Sequence, residues 1–159
     1  MNRKTLTATG LAVAAVAISG AVASPARTPG WYEGLRKPSY VPPGPVFPVA
    51  WTSLYTDIAV SSAVAIDRFH ETGKDDKARK YVAALSLNLL INAVWSWLFF
   101  GWHKLGAAAL GAVALTVSSA DLTRRTVAAD RRAGLALLPY PLWCVFATLL
   151  ATRVWRLNR

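Results

Sequence analysis

The sequence predicts an all-α integral membrane bundle of five transmembrane helices with a structured loop between the first two, and three observations carry that expectation. Of 159 residues, 54% are hydrophobic and 16% charged, a balance too oily for an ordinary water-soluble domain. The 18 Lys and Arg gather between the apolar stretches and at the chain ends, as in the loops of a membrane protein. Each crossing needs roughly 20 apolar residues, so five crossings with short connections fill one membrane domain, residues 1–159.

The first stretch, 5–26, is uncharged and follows Arg3 and Lys4. It reads equally as a span or as a secretory signal, because Ala21, Ala23 and Ser24 offer small residues to a peptidase. The second span, 46–66, is interrupted by Asp57, and the polar segment from Asp67 to Lys80 is expected to be a solvated connection. The third, 81–102, is the clearest. The fourth, 105–122, is rich in small residues and closes on Asp121; the fifth, 133–152, is uncharged and anchored by Arg153, Arg156 and Arg159.

In that arrangement eleven of the 18 basic residues fall on the amino-terminal side, which favours an inside amino terminus, although the three terminal arginines pull the other way. A net charge of +10 invites a nucleic-acid reading. It is set aside because no helix face lines up basic residues with aromatics between them. The basic loops are read instead as contacts to the lipid bilayer. Cys144 is the single cysteine, and His70 and His103 have no second ligand at metal spacing, so neither an intrachain disulfide nor a metal site is expected. Ala107 and Gly111, like Ala114 and Ser118, form a small-xxx-small pattern that serves internal packing or a homodimer; internal packing is the preferred reading.

Helical spacing gathers the candidate site. Asn88, Asn92, Trp95 and Phe99 lie along one stripe of the third span, Trp51, Leu54, Tyr55 and Ile58 along another of the second, and Trp143, Ala147 and Ala151 along one of the fifth. Amides facing lipid are costly, so these stripes should look inward, where the asparagines serve either interhelical hydrogen bonds or a ligand. Such faces can surround a planar apolar molecule with a few polar edges. Asp57 lies about 240° round the helix from Trp51. As an intramembrane carboxylate it is either a functional group or a protonated partner at a helix crossing.

The loop Trp31-Tyr32-Glu33-Gly34-Leu35-Arg36-Lys37-Pro38-Ser39-Tyr40-Val41-Pro42-Pro43 fits W-Y-x-x-L-x-K-P-x-aromatic-x-P-P. Asn92 to Gly101 fits N-x-x-W-S-x-x-F-F-G, Pro139 to Ala147 fits P-Y-x-x-W-x-x-F-A, and Trp155 to Asn158 fits W-x-L-N. With these four blocks in order, the chain resembles the translocator protein family, also called tryptophan-rich sensory proteins or peripheral benzodiazepine receptors.

The resemblance implies that the first helix is retained in the bundle. It also implies binding of a tetrapyrrole, porphyrin or haem, with no obligatory cofactor and with a sensory, regulatory or carrier role. Trp51 and Trp143 would stack on the macrocycle, Asn88 and Asn92 would bond its edge, and Tyr32, Pro42 and Pro43 would close a lid; Trp31, Tyr55, Trp95, Phe99, Phe146 and Ala147 complete the expected lining. Light- and oxygen-dependent porphyrin degradation, with Trp51 or Trp143 oxidisable, is the enzymatic alternative; a carrier of steroids or other hydrophobic ligands is a third. The family's usual glutamine is here Asn88, a fourth-helix tryptophan is Thr116 and a fifth-helix asparagine is Ala151, so a wider and less polar pocket is expected. Leu149 to Arg156 lacks the tyrosine of the animal cholesterol segment. High Ala and Arg usage points to a bacterial cell membrane.

Overall fold

The distribution of polarity is that of a protein whose solvent is hydrocarbon. Leu11, Ile18, Leu90, Leu110, Val117 and Leu142 are exposed, whereas Ser62, Asn88, Asn92, Ser119 and Thr126 are wholly buried. In water this inversion would leave large apolar patches outside and desolvated polar groups inside; in a bilayer it is the stable arrangement. The computed structural model describes residues 1–24 and 30–159, so the tail of the expected first span, 25–26, lies outside the described residues.

Among the described residues, five helical segments have the length and apolarity to cross a membrane, and the chain is a multi-pass integral membrane protein. The first, α1 (Arg3–Ala23), is capped by Asn2, whose side chain accepts the Lys4 N–H. It runs antiparallel to α3 (Val46–Glu71): Thr5 donates to Asp67 at 2.7 Å near one end, and Thr9 donates to the Ala59 carbonyl at 2.9 Å deeper in. Between them the lid loop contains one short helix, α2 (Trp31–Gly34).

The polar segment after α3 differs from the solvated connection expected from its charge. Only residues 72–74 leave the helix before α4 (Asp75–Ser96) begins. Arg68 pairs with Glu71 at 3.2 Å, His70 with Asp75 at 2.7 Å and Arg79 with Asp76, so i,i+3 pairs and acids in the first turn keep both helices wound up to the turn.

α4 runs into a π-helical turn, Trp97–Gly101, and α5 (Leu105–Ala129) follows. The last span is two helices, α6 (Arg131–Ala136) and α7 (Pro139–Leu157). Pro139 and Pro141 lack N–H groups and suit only a helix start, which breaks the segment there. Asp130 caps α6 by accepting the Ala133 N–H at 3.0 Å. That bond, with the nearby Arg68 guanidinium, holds the Asp130 carboxyl below the usual carboxylate range. The cap is therefore complete above the ordinary carboxylate pKa and fails only as pH falls through the lowered value.

α5 is the hub, packing on α3, α4, α6 and α7, while α1 packs on α3 and α4. Its small residues make this approach close. A methyl at Gly106 would sit 3.1 Å from the Trp155 indole nitrogen, and one at Gly111 would sit 3.4 Å from Trp95. Ser118 accepts a hydrogen bond from Asn88. Gly111 and Ser118 thus face inward, whereas Ala114 of the same pattern is exposed.

The tightest approach is at Gly134, where a Cβ would fall 2.6 Å from Val127 backbone atoms. Gly134→Ala is expected to push α6 off α5 and cost about 1–3 kcal/mol. Gly10→Ala, where a Cβ meets nothing within 4 Å, should be neutral or slightly stabilising. Thermal unfolding of both variants in one detergent measures this, and equal melting temperatures would refute the close approach.

Candidate functional site

The polar core is one directed chain of hydrogen bonds across four helices. Tyr55 on α3 donates to the Asn92 carbonyl oxygen at 3.0 Å, and the Asn92 amide donates to the Tyr140 hydroxyl of α7 at 3.3 Å. Tyr140 donates in turn to the Asn88 carbonyl oxygen at 2.9 Å, and the Asn88 amide donates to Ser118 of α5 at 3.1 Å. Every group gives and accepts in one sense, so the dipoles reinforce one another. Tyr140, Asn88 and Asn92 are fully buried.

A second network lies nearer the α3–α4 turn. There the buried Tyr81 hydroxyl donates to Ser62 at 3.1 Å and pairs with Thr126 at 2.9 Å. Asp57 accepts from Ser61 at 2.7 Å, a bond within α3 rather than across a crossing.

An aromatic chain runs from the polar core to the lid. Tyr55 and Trp51 are 5.4 Å apart between ring centroids, Trp51 and Trp95 are 6.4 Å apart, and Trp95 stacks on Phe99 at 5.8 Å. Trp31 meets Phe99 edge-on at 6.1 Å, and Tyr32 touches both Phe99 and Phe100, at 6.4 and 6.0 Å. The π turn makes that double contact available, because its wider winding turns two consecutive rings toward the lid. It is closed by the Trp102 N–H donating to the Trp97 carbonyl at 2.6 Å, and a side chain at Gly101 would strike the Trp97 ring.

The expected site residues therefore form one connected set and one set apart. Trp31, Tyr32, Phe99, Trp95, Trp51 and Tyr55 are linked ring to ring, with Asn92 and Asn88 continuing the line through hydrogen bonds. Trp143 instead meets Phe47, one turn before Trp51, at 6.1 Å and Phe146 at 5.5 Å. Trp51, Tyr55 and Trp143 nevertheless pack against the same core. Ala147 is half-buried on α7. Pro42 is half-buried and Pro43 exposed, the latter starting α3 by accepting the Val46 N–H at 2.9 Å. Thr116 bonds Thr148 of α7 at 2.9 Å.

One polar atom within the aromatic chain is unsatisfied. Among the described residues, the Trp95 indole nitrogen is the only buried side-chain nitrogen or oxygen without a hydrogen-bond partner. Buried donors in native structures normally have one, and this one lies between the tilted ring of Trp51 and the stacked ring of Phe99.

Three residues beyond the expected set hold the site. Tyr140, inside a matched motif, is the hub of the relay. Asn158 clamps the lid: its side-chain oxygen accepts the Arg36 N–H and its amide donates to the Arg36 carbonyl, both at 2.9 Å. His103, held at φ 57°, stacks on Trp31 at 3.7 Å. Burial also pushes the Tyr32 phenol above its ordinary pKa, and Lys37 lies 4.6 Å over that ring.

The sequence pattern of the TspO/MBR family matches residues 8–156. The chain is 34% identical to Protein CrtK of Rhodobacter capsulatus over 148 residues, 93% of this chain and 89% of that one. It is 32% identical to a tryptophan-rich sensory protein of Cereibacter sphaeroides over 147 residues, covering 92% and 87%. With the human translocator protein it shares 30% identity over 128 residues, covering 80% and 75%.

Tyr140→Phe would strand the Asn88 carbonyl and one Asn92 N–H together. It is expected to cost about 1–3 kcal/mol, against about 0.6 kcal/mol for Ser118→Ala at the end of the relay; denaturant unfolding in mixed micelles ranks the two, and the reverse order would contradict a Tyr140 hub. Asn158→Ala should free the lid, seen as faster hydrogen exchange of the Arg36 amide with unchanged exchange in α4. Unaltered exchange at Arg36 would mean the clamp does not hold the lid.

Proposed function

The chain belongs to the TspO/MBR family, and from that premise we propose that it is a membrane tetrapyrrole-binding protein with a sensory or regulatory role. The observation that carries the reading is the unbroken path of rings from Trp31 in the lid through Phe99 and Trp95 to Trp51 and Tyr55. A porphyrin is a wide planar apolar surface with polar edges, and stacked rings are the protein surface that best matches it.

The hydrogen bonding assigns the polar work more narrowly. Asn88 and Asn92 already bond Tyr140, Ser118 and Tyr55, so in this reading they keep the pocket wall rigid and each has one amide hydrogen left to give. The Trp95 indole N–H, buried and unpartnered, is the donor placed to meet a carboxylate or carbonyl on the ligand. Trp51 supplies stacking area, and Trp143, with Phe47 and Phe146, closes the flank of α7. The lid, fixed at Arg36 by Asn158, keeps Trp31 and Tyr32 over the rings.

The same ring path supports a second reading, light- and oxygen-dependent degradation of the bound porphyrin. Trp51, Trp95 and Tyr55 are oxidisable side chains in contact with one another and would lie against the photosensitising ring.

The test is titration with protoporphyrin in the dark, followed by porphyrin absorbance. Trp51→Phe and Trp95→Phe should each weaken affinity about tenfold, equivalent to roughly 1.4 kcal/mol, while Trp102→Phe, outside the ring path, should leave it unchanged. Equal affinity in all four proteins would remove this pocket from the tetrapyrrole reading. Illumination of the saturated complex then separates binder from catalyst, since only the latter bleaches porphyrin faster with the protein than with the Trp51→Phe variant.

A further inference from the structure

Away from the ring path, at the end of the bundle that carries the α3–α4 turn, α4 and α5 enclose a cleft of about 240 Å³ with Phe69 and Tyr81 in its wall. Lys77, Lys80, Arg124 and Arg125 line it. Among the described residues, the only carboxylate paired with any of these four is Asp121, which holds Arg124 at 2.7 Å and Arg125 at 2.6 Å. Among the described residues Lys77 and Lys80 have no ion-pair partner. The neighbouring acids are engaged elsewhere: Glu71 and Asp130 with Arg68, Asp75 with His70, and Asp76 with Arg79.

Helix stability does not account for the two lysines. Arg124 and Arg125 lie short of the last turn of α5, Lys77 occupies the first turn of α4, where the helix dipole is itself positive, and Lys80 lies beyond the reach of that dipole. Four cations meeting one carboxylate leave a local excess that an anion would neutralise.

The adjacent surface indicates which kind of anion. Arg124 also borders an apolar groove of about 370 Å³ between α5 and α7, lined by Ala120, Thr123, Val127, Leu138 and Pro141. A cationic cleft thus opens beside an apolar groove, with one arginine common to both, near the start of the α4 span and the end of the α5 span. We propose that this paired surface is a binding site for an anionic phospholipid, its phosphodiester held by Lys77, Lys80, Arg124 and Arg125 and an acyl chain lying along the α5–α7 groove. The side with most of the basic residues is the one that membrane insertion places against an anionic leaflet, which supplies that headgroup.

The test uses the full chain in phosphatidylcholine nanodiscs, with phosphatidylglycerol added in steps and bound lipid counted by native mass spectrometry. The wild type should retain phosphatidylglycerol over phosphatidylcholine, and Lys77→Gln/Lys80→Gln should lower that preference about fivefold per lysine removed. Arg3→Gln/Lys4→Gln makes the same charge change on α1 and should leave it intact. Equal losses in the two double variants would reduce the effect to general surface charge and overturn the site. Competition by glycerol phosphate or inorganic phosphate as effective as that of the diacyl lipid would overturn the lipid assignment in favour of a small-anion site. Folding of each variant is checked by its melting temperature in phosphatidylcholine alone, and porphyrin titration is a separate readout that this site should not alter.

Discussion

A side-chain amide inside a bilayer has no water to return to, so its donors and acceptors must find partners on other helices or forfeit the cost of burial. The relay through Tyr140 meets that constraint for two asparagines at once, and it does so by joining α3, α4, α5 and α7 at one level of the bundle. Because Tyr140 accepts from Asn92 and donates to Asn88, it fixes the rotation of α4 at two positions one turn apart. Trp95 lies on the same face of α4 about one turn further along, and Phe99 follows in the π turn that continues it, so their direction into the site follows from the bond geometry below them.

The lid depends on a different restraint. Its backbone is held by Asn158 at the far end of the chain, and its rings rest on Phe99, Phe100 and His103. The π turn lies between the two restraints. Its extra residue per turn takes α4 out of the periodicity that the relay needs and into the one that the lid needs, so two ring-bearing neighbours can face the same way. The local hydrogen bonds are less regular, as is common where such a turn is retained at a functional site.

The amino-acid pattern revealed the spans, the inward stripes and the choice of aromatic residues, because each is a matter of hydrophobic length or helical period. It did not reveal what Tyr140 or Asn158 do, although both stand in the matched motifs. Their partners lie 52 and 122 positions away in sequence, and no local period encodes a contact at that range. The π turn left only Gly101 as a trace, and a glycine after two phenylalanines reads as a simple helix end. The polar segment at 67–80 misled for the converse reason: its charge density reads as a connection between helices, but its i,i+3 pairing favours helix over loop.

The division between wall and ligand contact follows from counting hydrogen-bond capacity. Tyr140 spends its single proton on Asn88, and Tyr55 spends its own on Asn92, so neither phenol can donate to a guest without breaking the relay. The indole N–H of Trp95 has no such commitment, yet it is buried in a layer where an unmet donor is costly. A guest that brought an acceptor there would recover that cost, whereas an apolar guest of the same shape would not. On the tetrapyrrole reading proposed above, the polarity of this interior would discriminate between ligands of similar size, chiefly through one nitrogen held among rings by a network that it does not join.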